Sequence, residues 1–241
     1  LSLPHVAALM PTYGRAARQP HLIREAVADF LAQDYAGPKT LIVLNDAQGH
    51  VLRCSYPDVW CVNMGIRASS LGTKCNVLTA LARHRGAVFG MPWEDDDRSL
   101  PHRMTASVEK LMDLGGCDYW NPMMVWFHQR ESKPVLDGKG VMHHASAFRI
   151  DAMFGRYEDT SRGHDAAADS WAKANLRCHP YRIPAEKPEE VFYTYRWGFS
   201  DFHLSGQQDM TAAYASANPG PVGEYDISPT GDEQPAAETL G

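Results

Sequence analysis

The 241-residue sequence has no apolar run near the roughly 18 residues that a membrane-spanning helix requires. It has no C-x-x-C pair. Its five cysteines (Cys54, Cys61, Cys75, Cys117 and Cys178) are odd in number and widely spaced. That argues against zinc knuckles and a disulfide framework and points to a reducing, cytoplasmic compartment. Basic residues are not in surplus. Formal net charge is −6, and five acids (Glu224, Asp226, Asp232, Glu233 and Glu238) fall in Ser216–Gly241, which holds no Lys or Arg. Taking those five from −6 leaves the body at −1, without the global positive charge of an ordinary nucleic-acid binder. There is no internal repeat. Glycine is also scarce in the turn after the first apolar run, Pro11–Arg15, where a sugar-phosphate nucleotidyltransferase needs a glycine-rich basic loop.

What is present is enough apolar material, 44% of residues, for a substantial core. Val6–Met10 reads as a buried strand, His21–Gln33 as an amphipathic helix and Thr40–Leu44 as a second buried strand. Strand, helix and strand within some 40 residues imply parallel pairing with a right-handed crossover. Val59–Met64, Leu71–His84 and Ala87–Met91 continue the alternation as strand, helix and strand. Pro101 sits near the start of the next helix. Tyr119–Phe127 and Gly140–Phe148 are strand-like, with Asp137-Gly138 between them as a hairpin-type signal. Asp165–Asn175 reads as a helix and Val191–Arg196 as a last strand. The expectation is one α/β domain over residues 1–214, with a doubly wound half (1–100), a mixed half (101–214) and an acidic, disordered tail (215–241).

The fourth strand ends in four consecutive acids, Glu94, Asp95, Asp96 and Asp97. Carboxylates this close repel one another. Either a solvated loop or a hard divalent cation relieves that repulsion, and the end of a buried strand is where open α/β sheets place ligands.

In order and spacing these residues resemble the family 2 glycosyltransferases, which have the GT-A nucleotide-diphospho-sugar transferase fold. The resemblance is carried by Pro11-Thr12-Tyr13-Gly14-Arg15, Gln33-Asp34-Tyr35, Asn45-Asp46, Lys74-Cys75-Asn76 and Glu94–Asp97 with Pro101. Later come Ser146–Arg149 and Gly163-His164-Asp165. It spans roughly residues 5–205 and implies a Rossmann-like, mixed but mainly parallel sheet flanked by helices. The usual Glu before the late Asp is replaced by His164, and four acids leave the D-x-D register ambiguous. Counting back from Pro101 favours Glu94 with Asp96, Asp96 being the direct metal ligand. Asp95 with Asp97 is the other register.

By this resemblance Asp96, with Glu94 and Asp97 beside it and His203 from a later aromatic stretch, would hold Mn²⁺ or Mg²⁺. Asp46 would bond the nucleotide base, and Thr12, Tyr13, Arg15, Lys74 and Asp95 would line the nucleotide pocket. Asp165 would be the base that deprotonates the acceptor, with His164 assisting. Taken alone, Asp46 is equally a turn former, Lys74 an exposed helix-start lysine, Asp165 a helix N-terminal acid and His203 a loop histidine. Trp126, His128, His143 and His144 are read as lining the acceptor side. Arg130, Lys133, Lys139, Arg149, Arg156 and Arg162 are read as charge near it.

The resemblance therefore implies an inverting, metal-dependent glycosyltransferase of the hexosyl or related class. It would move a sugar from a nucleotide-diphosphate sugar, a UDP-sugar first, to a hydroxyl. The acceptor would be a glycan, a lipid, a protein or, as in phage enzymes of similar size, a hydroxymethylated pyrimidine in DNA; a phage enzyme would act in the host cytoplasm. The competing readings are a non-catalytic nucleotide-sugar-binding protein and a sugar-phosphate nucleotidyltransferase.

Overall fold

The structure, a computed structural model, describes residues 2–138, 143–158, 164–200 and 210–236. Strand β1 (Val6–Thr12) is buried at all seven positions. The chain then turns through Gly14 into the single-turn helix α1 (Arg15–Arg18) and into α2 (Pro20–Leu31), whose first residue is a proline. Leu22, Ile23, Ala26, Val27 and Phe30 form the buried face of α2. Strand β2 (Lys39–Asn45) lies parallel to β1, with Thr12 opposite Asn45 at the far end. After β3 (His50–Arg53), β4 (Val59–Asn63) adds outside β2, also parallel. Helix α3 (Leu71–His84) is capped by Ser70, whose hydroxyl accepts from the Thr73 N–H. Strand β5 (Phe89–Pro92) pairs parallel to β1 on its other edge. The order β4-β2-β1-β5 therefore reverses direction between β1 and β5, and a crevice opens there beyond the strands' carboxyl ends.

The second half completes this sheet and adds another. Strand β6 (Arg98–Ser99) and helix α4 (Arg103–Met112) follow the acidic run, and then come β7 (Tyr119–Trp120), β8 (Val125–Gln129), β9 (Val135–Asp137) and β10 (Ala147–Arg149). Strand β10 runs antiparallel to both β5 and β7 and extends the first sheet to six strands. Helices α5 (Ile150–Met153) and α6 (His164–Asn175) precede β11 (Tyr193–Trp197), which joins β6, β8 and β9 in a four-stranded sheet. Helix α7 (Met210–Ser216) and β12 (Gly223–Asp226) end the described chain, β12 lying parallel to β3.

Period-two alternation along β1 feeds two cores. Val6, Ala8 and Met10 join Ile23, Val27, Phe30, Trp93 and Met104 on one face. Ala7 and Leu9 join Ile42, Leu78, Ala82, Phe148 and Ala168 on the other. The Gln33-Asp34-Tyr35 turn clasps the two halves together. Gln33 Nε2 donates to the Leu100 carbonyl (2.9 Å), its Oε1 accepts from the Met104 N–H (3.0 Å), and the Asp34 N–H donates to Pro101 O (3.0 Å).

Three expectations fail. Tyr119–Phe127 is not one strand, because β7 and β8 belong to different sheets. Asp137-Gly138 is not a hairpin turn. Asp137 ends β9, and the β8–β9 connection lies before it, where Glu131 has φ +70°. The segment after Ala215 is not a featureless tail, because residues 223–226 pair with β3 and Ile227 is fully buried. Composition pointed to disorder, but one aliphatic anchor and a backbone ladder hold this stretch down.

Glycine in the middle of β5 has a steric cause. A Cβ on Gly90 would lie 2.6 Å from Ile150 Cδ1 and 2.7 Å from Phe148 Cε2. Gly90→Ala should therefore cost about 1–3 kcal/mol through overpacking. Urea unfolding checks this, and an unchanged midpoint would contradict the packing described.

Candidate active site

Asp46 immediately follows β2 and is fully buried. Its Oδ1 lies 2.5 Å from Lys74 Nζ, and its Oδ2 accepts from the Ala68 N–H (3.0 Å) and the Tyr214 hydroxyl (2.9 Å). Lys74 is 1% exposed, so it is not the solvated helix-start lysine that its sequence position allows. It occupies the first turns of α3, from which Nζ also donates to the Thr12 carbonyl at the end of β1 (2.9 Å). Burial pulls the Lys74 ammonium below its ordinary range, and the Asp46 carboxylate opposes that pull. Three carboxyl ends are thus tied together: β1 through Thr12, β2 through Asp46, and β5 through Thr12 Oγ1, which donates to Asp95 Oδ2 (2.5 Å).

Along the acidic run exposure alternates. Asp95 and Asp97 are buried, while Glu94 and Asp96 are only half-buried. Arg15 bridges the run, with Nε 3.1 Å from Asp95 Oδ1 and Nη2 3.0 Å from Asp96 Oδ2. Asp97 points the opposite way, into the second sheet, where the Tyr193 hydroxyl donates to Oδ2 and the Arg196 N–H to Oδ1 (2.7 Å). Burial first, and the neighbouring Asp96 second, push the Asp97 carboxyl up to about 7. Arg196 reaches back to the Asp96 carbonyl through Nε and pairs with Glu25 (2.6 Å). Behind the loop Arg103 is fully buried between the rings of Trp93 (4.8 Å) and Tyr193 (4.9 Å), where burial lowers its pKa to about 10. Arg103 does not stand out in the sequence, since it lies in no motif of its own, whereas Arg196 belongs to the aromatic stretch that leads to His203.

For a hard cation the relevant donors are oxygens, and the half-buried pair Glu94 and Asp96 supplies them. Among the described residues no three His, Cys, Asp or Glu side chains gather to hold a metal by themselves. This donor set fits a cation that shares one or two carboxylates with substrate phosphates. His203 lies outside the described residues.

A small cleft lies beside Glu94, lined also by Leu9, Pro11, Cys75, Leu78, Pro92, His143 and Tyr157. His143 is buried, with Nε2 2.8 Å from the Tyr157 hydroxyl and Nδ1 3.2 Å from the Tyr119 hydroxyl. Tyr119 donates to Asp169 Oδ1 (2.6 Å), Asn121 to the same oxygen (2.7 Å), and Lys173 lies 2.5 Å from Oδ2. This network anchors α6, whose first residues are His164 and Asp165. The side chains of those two lie outside the described residues.

His144 sits 4.0 Å from Glu94. Trp126 and His128 lie on β8 and do not line the cleft. The expected basic residues do not converge. Arg149 pairs with Asp118 (3.6 Å), Arg156 lies over the Trp171 ring (5.0 Å), and Arg130 and Lys133 flank the β8–β9 turn. Lys139 and Arg162 lie outside the described residues. The sequence reading misses Arg67 and Tyr214. Arg67 sits in an unpatterned loop, and Tyr214 comes from the segment leading into the acidic tail.

Removing one partner of a buried ion pair leaves an uncompensated charge. Lys74→Met should destabilise the fold by about 3–5 kcal/mol, and adding Asp46→Leu should restore much of that. Guanidinium unfolding of the single and double variants tests it. A Lys74→Met variant within about 1 kcal/mol of wild type would refute a structural ion pair here.

No family model matches the chain, and no curated protein matches it. Solved structures do. S. aureus TarS 1-349 in complex with UDP-GlcNAc aligns with a TM-score of 0.59 at 11% identity, over 89% of this chain and 61% of that one. The same protein in complex with UDP aligns at 0.55 and 11% identity, over 80% and 60%. The longer S. aureus TarS chain aligns at 0.55 and 12% identity, over 80% and 37%. This chain spans about 60% of the length of the TarS 1-349 chains it matches. Identity this low speaks to the fold alone: the chain shares with these structures a mixed α/β architecture with a central, mostly parallel sheet flanked by helices.

Proposed function

We propose that this protein is a glycosyltransferase that takes a nucleotide-diphosphate sugar, a UDP-sugar first, and transfers the sugar to an acceptor hydroxyl. The observation that carries the reading is the convergence of Asp46, Lys74, Thr12 and the half-buried Asp96 at the switch point of the sheet. Two supports stand beside it. The motif order resembles family 2 glycosyltransferases, and the fold matches TarS structures whose complexes contain UDP and UDP-GlcNAc.

In this reading Asp46 accepts from the base and Tyr13 stacks on it. Lys74 fixes the Asp46 carboxylate and adds positive potential at the pocket floor. Arg15 holds the Asp95 and Asp96 carboxylates in place. Asp96, with Glu94, would hold Mn²⁺ or Mg²⁺, which supplies Lewis-acid neutralisation of the departing diphosphate. Asp97 is assigned to structure rather than to metal, because both its oxygens are committed to β11.

Asp165 opens α6 one helical turn before the anchored Asp169. It takes the acceptor proton as the hydroxyl oxygen attacks the anomeric carbon opposite the diphosphate, which inverts that centre. His164 orients the acceptor. The acceptor is a hydroxyl of the glycan, lipid, protein or hydroxymethylated-base classes. Among the described residues no helix is long and apolar enough to cross a membrane.

Donor turnover and donor binding separate these roles. Asp165→Asn should lower the turnover of UDP-GlcNAc, or of whichever UDP-sugar binds, by about 10²–10⁴-fold while leaving its Kd within about twofold. Asp96→Asn should abolish the Mn²⁺-dependent part of UDP binding measured by calorimetry. Full turnover in Asp165→Asn would remove that residue from the mechanism. Absence of UDP binding with Mn²⁺ present, by wild type and by Tyr214→Phe alike, would remove the transferase reading itself.

A further inference from the structure

The base pocket is already full of this chain's own side chains. The Arg67 guanidinium lies 3.8 Å over the Tyr13 ring and 4.5 Å from the Tyr214 ring, so it is sandwiched between the two. Its Nη1 donates to the Tyr13 hydroxyl (2.9 Å) and to the Ala215 carbonyl (3.3 Å), and its Nη2 donates to the Tyr214 carbonyl. A guanidinium is planar and stacks on aromatic faces, so it occupies the same kind of slot as a flat nucleobase. Directly beside it the Tyr214 hydroxyl bonds Asp46 Oδ2. Each carboxylate oxygen accepts about two bonds. Oδ2 already takes Ala68 N–H and Tyr214 O–H, and Oδ1 faces Lys74. A base N–H reaches Asp46 Oδ2 only if one of its two donors leaves.

The donor able to leave is Tyr214. Ala68 donates from backbone, and losing Lys74 would strand a buried charge. Tyr214 rides on α7, seven residues long, and the chain beyond α7 is fastened independently. Pro219 packs so closely on Gly14 that a Cβ there would collide with its backbone. Strand β12 pairs with β3, the Arg24 guanidinium donates to the Asp226 carbonyl (3.3 Å), and Ser228 meets Ser55 (3.1 Å). These contacts hold residues 219–228 in place without needing Tyr214.

We propose that Tyr214, with Arg67, stands in for the nucleotide base, so that the C-terminal strap sets donor affinity by competing for Asp46. This rests on the reading of the site as a nucleotide-sugar pocket. The base exchanges with the Tyr214 hydroxyl and the Arg67 guanidinium, and the strap stays attached through 219–228 while α7 swings clear.

The test uses the full chain and UDP with Mn²⁺. Tyr214→Phe, which keeps the ring and deletes the hydroxyl, should bind UDP about tenfold more tightly by calorimetry. Independently of any variant, hydrogen–deuterium exchange of the α7 amides in wild type should speed up when UDP is added. UDP binding by wild type with equal or weaker binding by Tyr214→Phe would overturn the proposal. So would slower exchange in α7, which would make the helix a closing element instead. If neither protein binds UDP, the donor reading fails and the proposal falls with it. Binding by Tyr214→Phe alone would support both.

Discussion

Four carboxylates in a row at the end of a buried strand have to be kept from pushing one another apart, and much of the structure serves that constraint. The run is divided in two directions. Asp95 and Asp97 go inward, onto Thr12 and Arg15 on one side and onto Tyr193 and the Arg196 backbone on the other. Glu94 and Asp96 stay half-buried at the crevice. Arg15, Arg103 and Arg196 come from three different elements and place positive charge around the loop. Each inward contact recruits a separate part of the fold, so the acidic loop joins the first sheet to the second. At the crevice Asp96 is held by Arg15, and Glu94 lies 4.0 Å from His144.

The same logic governs the other end of the crevice. Asp46 and Lys74 are buried together at the carboxyl ends of β2 and β1, where neither could stay ionised alone. Lys74 also holds the Thr12 carbonyl, and Thr12 holds Asp95. A chain of polar contacts therefore runs from Asp46 to Asp96 through Lys74, Thr12, Asp95 and Arg15. Low dielectric strengthens each link, and the links keep the two ends of the crevice at a set separation.

Much of this was legible in the sequence, because the first half follows simple periodicities. Val6–Met10, Thr40–Leu44 and Leu71–His84 are long, strongly patterned stretches, and their elements appear where expected. The gathering of Thr12, Asp46, Lys74 and Asp96 at the carboxyl ends of the strands was legible through strand ends and motif order. Other features were not, for definite reasons. Strand β3 is four residues long, and its partner β12 lies at the other end of the chain, so no local signal marks either. Whether Lys74 faces solvent or the core depends on Asp46, which is distant in sequence. Arg67 and Tyr214 take their meaning only from each other. The Asp137-Gly138 pair carried a valid turn signal, but tertiary pairing of β8 with β9 placed the connection earlier.

The C-terminal segment wraps the first-made part of the protein. Glu233 lies 3.8 Å from Arg24, and the Ala236 N–H donates to Asp29 Oδ1 (2.8 Å) on α2, a carboxylate that also takes Arg98 and the Ser99 N–H. During vectorial synthesis α2 and β3 therefore wait for almost the whole chain before their last partners arrive. Closing loops of this length slows folding more than it weakens the finished state. Residues 210–228 are synthesised after all the strands that border the crevice, so the contacts of Tyr214 with Asp46 and Arg67 are the last that the order of manufacture makes available there.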